Sequence, residues 1–309
     1  IHMASAYTLG HMLDPLLLLP DFLLILSGFA LCRFTGLKRP VWEVVERLVY
    51  NLLFPALLFA SIVKSPLHPS AAASLATGGV LIVACGAALA YALHWWPGVD
   101  PRMHASGAQI AFRFNSYIAL ALAERLSGAA GVAWIAILIA LCVPLCNAAA
   151  VWFLARHGGQ DSWREMARNP LILSTVAGLT VQLTGLPLPE WMIGTVSRIG
   201  QAALPMGLLA VGAGLKLGGL TAAPYLAAAL LTIRHLVLPA VAWCLGPALG
   251  LPADQSLILL AFAALPTASS AYVLAVRMGG HGPFVAGLIT LSTLLGMASI
   301  PIWLSLAPK

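Results

Sequence analysis

The chain has 309 residues, of which 61% are hydrophobic and only 8% charged, with a mean hydropathy of +0.94 and a formal net charge of +6. Soluble domains carry far more charge, so this composition excludes a soluble fold, a secreted disulfide scaffold and a DNA-binding domain, and places the chain in a bilayer. The 16 Lys and Arg residues lie thinly at the ends of apolar runs, which reads as topology signalling and not as a nucleic-acid face.

In chain order, Ile1-His2-Met3 looks like a tag remnant, and residues 1–11 form a tail before the first apolar run. Ten runs follow: Leu13–Arg33, Val41–Val63, Ala71–Trp96, Met103–Leu126, Gly131–Arg156, Ala167–Gly185, Trp191–Lys216, Pro224–Gly246, Pro252–Met278 and Phe284–Leu306. Stretches 65–99, 126–155 and 278–308 hold no formal charge, and each is long enough to cross a hydrocarbon core. The runs lack the ten-residue alternation of barrel strands, so the expected fold is an all-α integral membrane protein with ten transmembrane helices. No Lys or Arg precedes Asp14, so the first helix lacks the basic region of a cleaved signal peptide and is expected to stay.

Positive charge is retained on the cytoplasmic side. With the N-terminus outside, Arg33, Lys38, Arg39, Arg102, Arg156, Arg164, Arg168, Lys216 and Arg277 fall at cytoplasmic ends, against Lys64, Arg125 and Lys309 outside. Both termini are therefore expected outside the cytoplasm, with a cytoplasmic linker at 157–166 between segments 12–156 and 167–309. These two segments repeat. Thr35-Gly36-Leu37-x-x-Pro40-x-Trp42 returns as Thr184-Gly185-Leu186-x-x-Pro189-x-Trp191, Asn51-x-x-x-Pro55-x-x-Leu58 as Gln201-x-x-x-Pro205-x-x-Leu208, and Ala123-x-Arg125-x-x-Gly128 as Ala275-x-Arg277-x-x-Gly280. Five helices per copy, an odd number, turn the second copy upside down, as in inverted-repeat transporters. The basic turn Leu37-Lys38-Arg39-Pro40 has the uncharged counterpart Leu186-Pro187-Leu188-Pro189, in keeping with opposite sides of the membrane. Inverted halves can sit in two similar arrangements, open to opposite sides around a midplane site, so alternating access is the expected activity. A duplicated bundle with no such activity is the plainer alternative.

The fourth and ninth helices occupy equivalent places and gather polar groups at mid-depth: Gln109-Ile110-Ala111-Phe112-Arg113-Phe114-Asn115-Ser116-Tyr117 and Leu265-Pro266-Thr267-Ala268-Ser269-Ser270-Ala271-Tyr272. Pro266 removes a backbone hydrogen bond and crowds the preceding turn, so the ninth helix is expected to break there and aim its half-helix ends into a cavity. Candidate substrate-binding residues are Arg113, Asn115, Tyr117, Pro266, Thr267, Ser269 and Ser270. Asn115 offers both an amide donor and a carbonyl acceptor, and the hydroxyls around Pro266 can donate to an anion.

In Asn51-Leu52-Leu53-Phe54-Pro55-Ala56-Leu57-Leu58, Asn169-Pro170, Leu265-Pro266-Thr267-Ala268, Ala271-Tyr272-Val273-Leu274-Ala275 and Leu291-Ser292-Thr293-Leu294-Leu295, the chain resembles the auxin efflux carrier family over nearly its whole length. The resemblance implies ten helices, a scaffold and a transport domain moving in an elevator-like way, broken and crossing fourth and ninth helices, and transport of auxin-like or other organic anions. It also implies a multi-pass protein of the bacterial inner membrane. Two positions depart from the family: Ile118-Ala119-Leu120-Ala121-Leu122 has no proline, which leaves a break in the fourth helix open, and Ser270 stands where asparagine is usual.

Arg113 and Arg234 fall well inside helices, where a charge is costly and so marks a functional candidate. Ligand contact, packing against helix-end carbonyls, or pairing with Glu124 or Asp21 are open for Arg113. Asp21, Arg234 and His235 are the candidates for coupling, with a structural hydrogen bond as the alternative for the Arg234-His235 pair. His94, His104 and His281 are expected at solvated membrane ends. The five cysteines show no disulfide or metal pattern, and Cys142 and Cys146 are expected to be small packing residues. No cofactor or metal is expected, and no motif of a nucleophile, base or metalloenzyme is present, which argues against an enzyme. A channel or a sodium- or proton-coupled symporter of the same fold are the alternatives. The implied partners are the bilayer and a small organic anion, with no nucleic acid and a homodimer left open.

Overall fold

The computed structural model describes residues 19–64, 69–155, 170–215, 222–268 and 270–307. Helices make up this part of the chain, and no strand occurs among the described residues. The helices are α1 (Leu19–Phe34), α2 (Arg39–Leu48), α3 (Phe54–Lys64), α4 (Pro69–Ala92), α5 (Pro101–Gly107), α6 (Ser116–Ala155) and α7 (Pro170–Thr184). They continue as α8 (Glu190–Gln201), α9 (Ala203–Ala213), α10 (Pro224–Thr232), α11 (Leu238–Ala248), α12 (Ala253–Ala264), α13 (Ser270–Arg277) and α14 (Gly282–Ser305). Among the described residues six spans are long and apolar enough to cross a membrane: Arg39–Lys64, Ala72–Trp95, Ser116–Leu154, Glu190–Ala213, Pro224–Ala248 and Gly282–Ser305. The expected linker at 157–166 and the tail at 1–11 lie outside the described residues.

Proline explains most of the irregularities. A proline at position i deprives the carbonyl at i−4 of its donor, and its ring crowds the preceding turn. Ahead of Pro55 the backbone opens into a π turn at Val49–Leu53, where the Phe54 N–H donates to Val49 O; ahead of Pro239 the same happens at Ile233–Val237. Ahead of Pro205 the helix breaks between Gln201 and Ala203. Within α6 the kink is at Ser127 and Gly128, where Gly128 has φ +56°, a left-handed value that favours glycine.

The helices pack as two groups. In one, α1 lies along α9, and α3 lies against both α7 and α8. In the other, α12 packs against α4, α6, α11 and α14, while α13 and α5 rest on α14. Helix α6 bridges them through contacts to α3, α7 and α9. The α1–α9 contact is made backbone to backbone at Gly28 and Gly212, where an added Cβ would strike Leu209 O and Ile25 O. The aromatic core includes the fully buried Phe54, Phe112, Phe262 and Phe284.

Candidate functional site

The fourth apolar run is two helices. Asp100 starts α5 by accepting from Met103 N at 2.8 Å, with Pro101 in the first turn. After a 3-10 turn at Ala108–Ile110 the backbone leaves helical geometry until Ser116. The break needs no proline: Asn115 Oδ1 accepts from Tyr117 N at 2.9 Å and Ile118 N at 3.2 Å, the N-cap of a new helix. The run Met103–Leu126 is thus interrupted, as the family resemblance implies, and the break lies upstream of the proline-free segment 118–122. Helix α12 ends at Ala264, because Leu265, held extended (φ −57°, ψ 143°), precedes Pro266. The two interruptions meet where Asn115 N–H donates to Pro266 O at 2.9 Å, which satisfies two backbone groups freed by the breaks.

Arg113 and Ser270 are brought together across this junction, with Arg113 Nη2 donating to Ser270 Oγ at 2.9 Å. Arg113 is buried, and it also makes a long hydrogen bond, Nη1 donating to Gln109 Oε1 at 3.4 Å. Gln109 is anchored in turn by Nε2 donating to Ser106 O and Ala271 O, each at 3.1 Å. Glu124 is not its partner, and no carboxylate among the described residues pairs with Arg113. The guanidinium therefore sits at the N-terminal, positive end of α13, the end of a helix where a cation is least favoured.

Two further donors on these segments make no hydrogen bond among the described residues. The Asn115 side chain is turned by its capping role so that Nδ2 makes no hydrogen bond among the described residues. Thr267 is fully buried, yet its Oγ1 has no partner among the described residues. The ring of Pro266 rests on Gly296 of α14, where a side chain would be too close. Tyr117 stands apart from this cluster, its ring tilted against Phe54 of the other helix group at 4.8 Å. Ser269 lies outside the described residues, as does the side chain of Asp21.

Arg234 and His235 reach the junction from the π turn at Ile233–Val237. Arg234 is 1% exposed and donates to two carbonyls at the end of α12, Nη2 to Phe262 O at 3.2 Å and Nε to Leu265 O at 2.5 Å. His235 has its ring nitrogens 2.9 Å from Ser299 Oγ and Ser292 Oγ, and Ser292 Oγ accepts from Thr267 N at 3.1 Å. His104 departs from expectation: it is buried, with Nε2 2.7 Å from Ala90 O. Cys146 is buried and donates to Phe112 O at 3.3 Å, and Cys142 packs where Gly79 leaves space.

Gln109, Ser292 and the carbonyls of Phe262 and Leu265 complete the site, and the sequence did not single them out as site residues. Gln109 stands four residues before Arg113, the spacing of facing helix side chains, which is the signal that could have found it. Ser292 is distant in sequence and carries no local signal.

Apolar spans and a junction of two interrupted helices, with buried arginines and open donors, define a multi-pass membrane protein with a polar centre. Its family follows from comparison: residues 117–304 match the profile described as "Membrane transport protein", and the chain belongs to that family of transporters, consistent with its resemblance to auxin efflux carriers. Over 303 residues it is 27% identical to a protein of Rhizobium meliloti (strain 1021) named "Putative malonate transporter", with 92% of each chain covered.

Proposed function

We propose that this chain is a secondary carrier that moves a small carboxylate across the membrane by alternating access, held where the interruptions at 111–115 and 265–268 meet. The observation that carries this reading is the Asn115–Pro266 junction: the two segments it joins carry Arg113, the Asn115 amide and the buried Thr267 Oγ1, which has no partner among the described residues, and no carboxylate among those residues pairs with Arg113. An anion would satisfy all three. Hydrogen bonds from the neutral donors of Asn115 and Thr267 to a carboxylate, worth about 1.5–3 kcal/mol each, hold a ligand without the fixed ion pairs that would trap it, which a carrier needs. The name of the Rhizobium meliloti relative makes malonate the first substrate to test.

The same reading takes the chain as ten membrane crossings in two inverted five-helix repeats. Recurring irregularities support it: Val49–Leu53 ahead of Pro55 corresponds to the break ahead of Pro205, and the interruption at 111–115 to that at 265–268. The group of α1, α2, α3, α7, α8 and α9 would be the scaffold, and the group around α12 and α14 would move. In proteoliposomes, labelled malonate uptake should saturate and speed up when unlabelled malonate is placed inside. Flux that rises linearly without saturation makes the protein a channel. Uptake that neither malonate nor other small carboxylates compete for removes the carboxylate reading.

A further inference from the structure

We infer that Arg234 is a positioning residue that gives the crossing its preference for anions, by covering the carbonyl end of α12 with positive charge. The inference rests on the reading of the crossing as the substrate site.

The last four carbonyls of a helix have no partner within it, and together with the aligned peptide dipoles they give that end about half a negative charge. Helix α12 ends inside the protein, at the junction itself, so a carboxylate arriving beside Thr267 and Asn115 would meet that negative end. The α12 end is covered. The guanidinium of Arg234 spans Phe262 O and Leu265 O, three residues apart, in a fork that a single ammonium could not match. The π turn at Ile233–Val237 supplies the aim, since its extra residue re-registers the side chains that follow Thr232.

A packing role alone does not account for this residue. Burying a guanidinium is costly, and an apolar side chain of similar volume would fill the same space without that cost. Yet Arg234 is 1% exposed and pairs with no carboxylate among the described residues, so its charge falls on the carbonyls alone. The clamp also fixes Leu265, the residue before Pro266, whose carbonyl receives the Asn115 N–H. Arg234 therefore sets the charge at the junction and also the position of one strand of it. It leaves the substrate contacts to Arg113, Asn115 and Thr267.

Electrostatic and structural roles separate when the ligand charge is varied. Calorimetry on purified protein would use malonate, a dianion at neutral pH, and its monoamide malonamate, which carries one charge less. Arg234→Met should weaken malonate about tenfold or more and malonamate about threefold or less, because removing a cation costs a ligand in proportion to its charge. Arg234→Lys, with the charge but not the fork, should recover malonate affinity to within about threefold of the parent. Equal weakening of both ligands, or Arg234→Lys no better than Arg234→Met, overturns the inference. Should Arg234→Met not fold, Arg234→Gln, which keeps donors to the carbonyls without the charge, carries the same comparison. Asn115→Ala run alongside distinguishes the two readings. Unchanged malonate affinity in Asn115→Ala means that the crossing is not the site, whereas weakening there but not in Arg234→Met removes only the role of Arg234.

Discussion

Asn115 offers two functions in one side chain: Oδ1 starts α6, and Nδ2 makes no hydrogen bond among the described residues. The substitution Asn115→Asp keeps a cap as good as asparagine but replaces the free donor by negative charge. Its thermal midpoint should stay near that of the parent while malonate affinity falls about tenfold or more, as expected where a charge-assisted donor is exchanged for a repelling acceptor. Thr267→Val tests the orphaned hydroxyl in the opposite sense. Removing a buried hydroxyl that has no partner among the described residues should leave stability equal or slightly higher, because its desolvation is no longer uncompensated. Thermal unfolding with and without malonate checks this: loss of the malonate-induced stabilisation without loss of the basal midpoint marks Thr267 as a ligand contact. For Arg113, lysine should retain more affinity than alanine, since it keeps the charge but not the planar fork. Equal affinity in Arg113→Ala and the parent would assign Arg113 to holding Ser270 alone.

At the scale of the helix, Gly28 and Gly212 let α1 and α9 touch through their backbones. Alanine at Gly212 would meet Ile25 O and force the helices apart, a cost of about 1–3 kcal/mol typical of overpacking. Gly194, an exposed glycine inside α8 with open space around it, is the control: Gly194→Ala should be neutral or stabilising by up to about 1 kcal/mol, the helix propensity difference. Melting in detergent reads both, and a harmless Gly212→Ala would contradict the close contact. The element scale also separates what could be read in the sequence from what could not. The break of the ninth helix was legible because Pro266 acts on its own preceding turn. The break of the fourth is implied by the family resemblance but carries no proline of its own, because its agent is Asn115, a short polar side chain that caps the new apolar run. The hydrogen bonds of Arg234 to Phe262 and Leu265 join residues about thirty apart in sequence, and those of His235 to Ser292 and Ser299 join residues still further apart. Such pairings depend on which helices are neighbours, and periodicity does not report that.

For the molecule as a whole, the surface between the two helix groups decides whether it is a machine or a bundle. Ile25 of α1 and Leu208 of α9 line one small apolar cavity together with Ala121 of α6 and Ile300 of α14. In the proposed elevator motion, Leu208 slides past Ala121 but keeps its place beside Ile25. Cysteines at Leu208 and Ala121, bridged by mercury in a cysteine-free background, should stop malonate uptake until a thiol removes the metal, while a bridge between Ile25 and Leu208 should not. Equal uptake with both bridges would argue for a static pore. Single cysteines at Gln160 and Glu190 test orientation with an impermeant thiol reagent on whole cells: labelling at Glu190 but not Gln160 is expected, and the reverse pattern inverts the topology.

The unpaired arginines give the proposed cycle an electrical character. Arg113 and Arg234 belong to the group taken to move, and no carboxylate among the described residues balances either. An empty carrier therefore takes two positive charges through part of the transmembrane field, whereas one that holds a dicarboxylate takes almost none. A full crossing of the field is worth about 2.3 kcal/mol per charge per 100 mV, so even a fraction of it biases the empty leg strongly and leaves the loaded leg nearly indifferent. Voltage would then set the return step, and a capacitive current recorded from reconstituted protein should be largest without substrate and fade as malonate saturates the site.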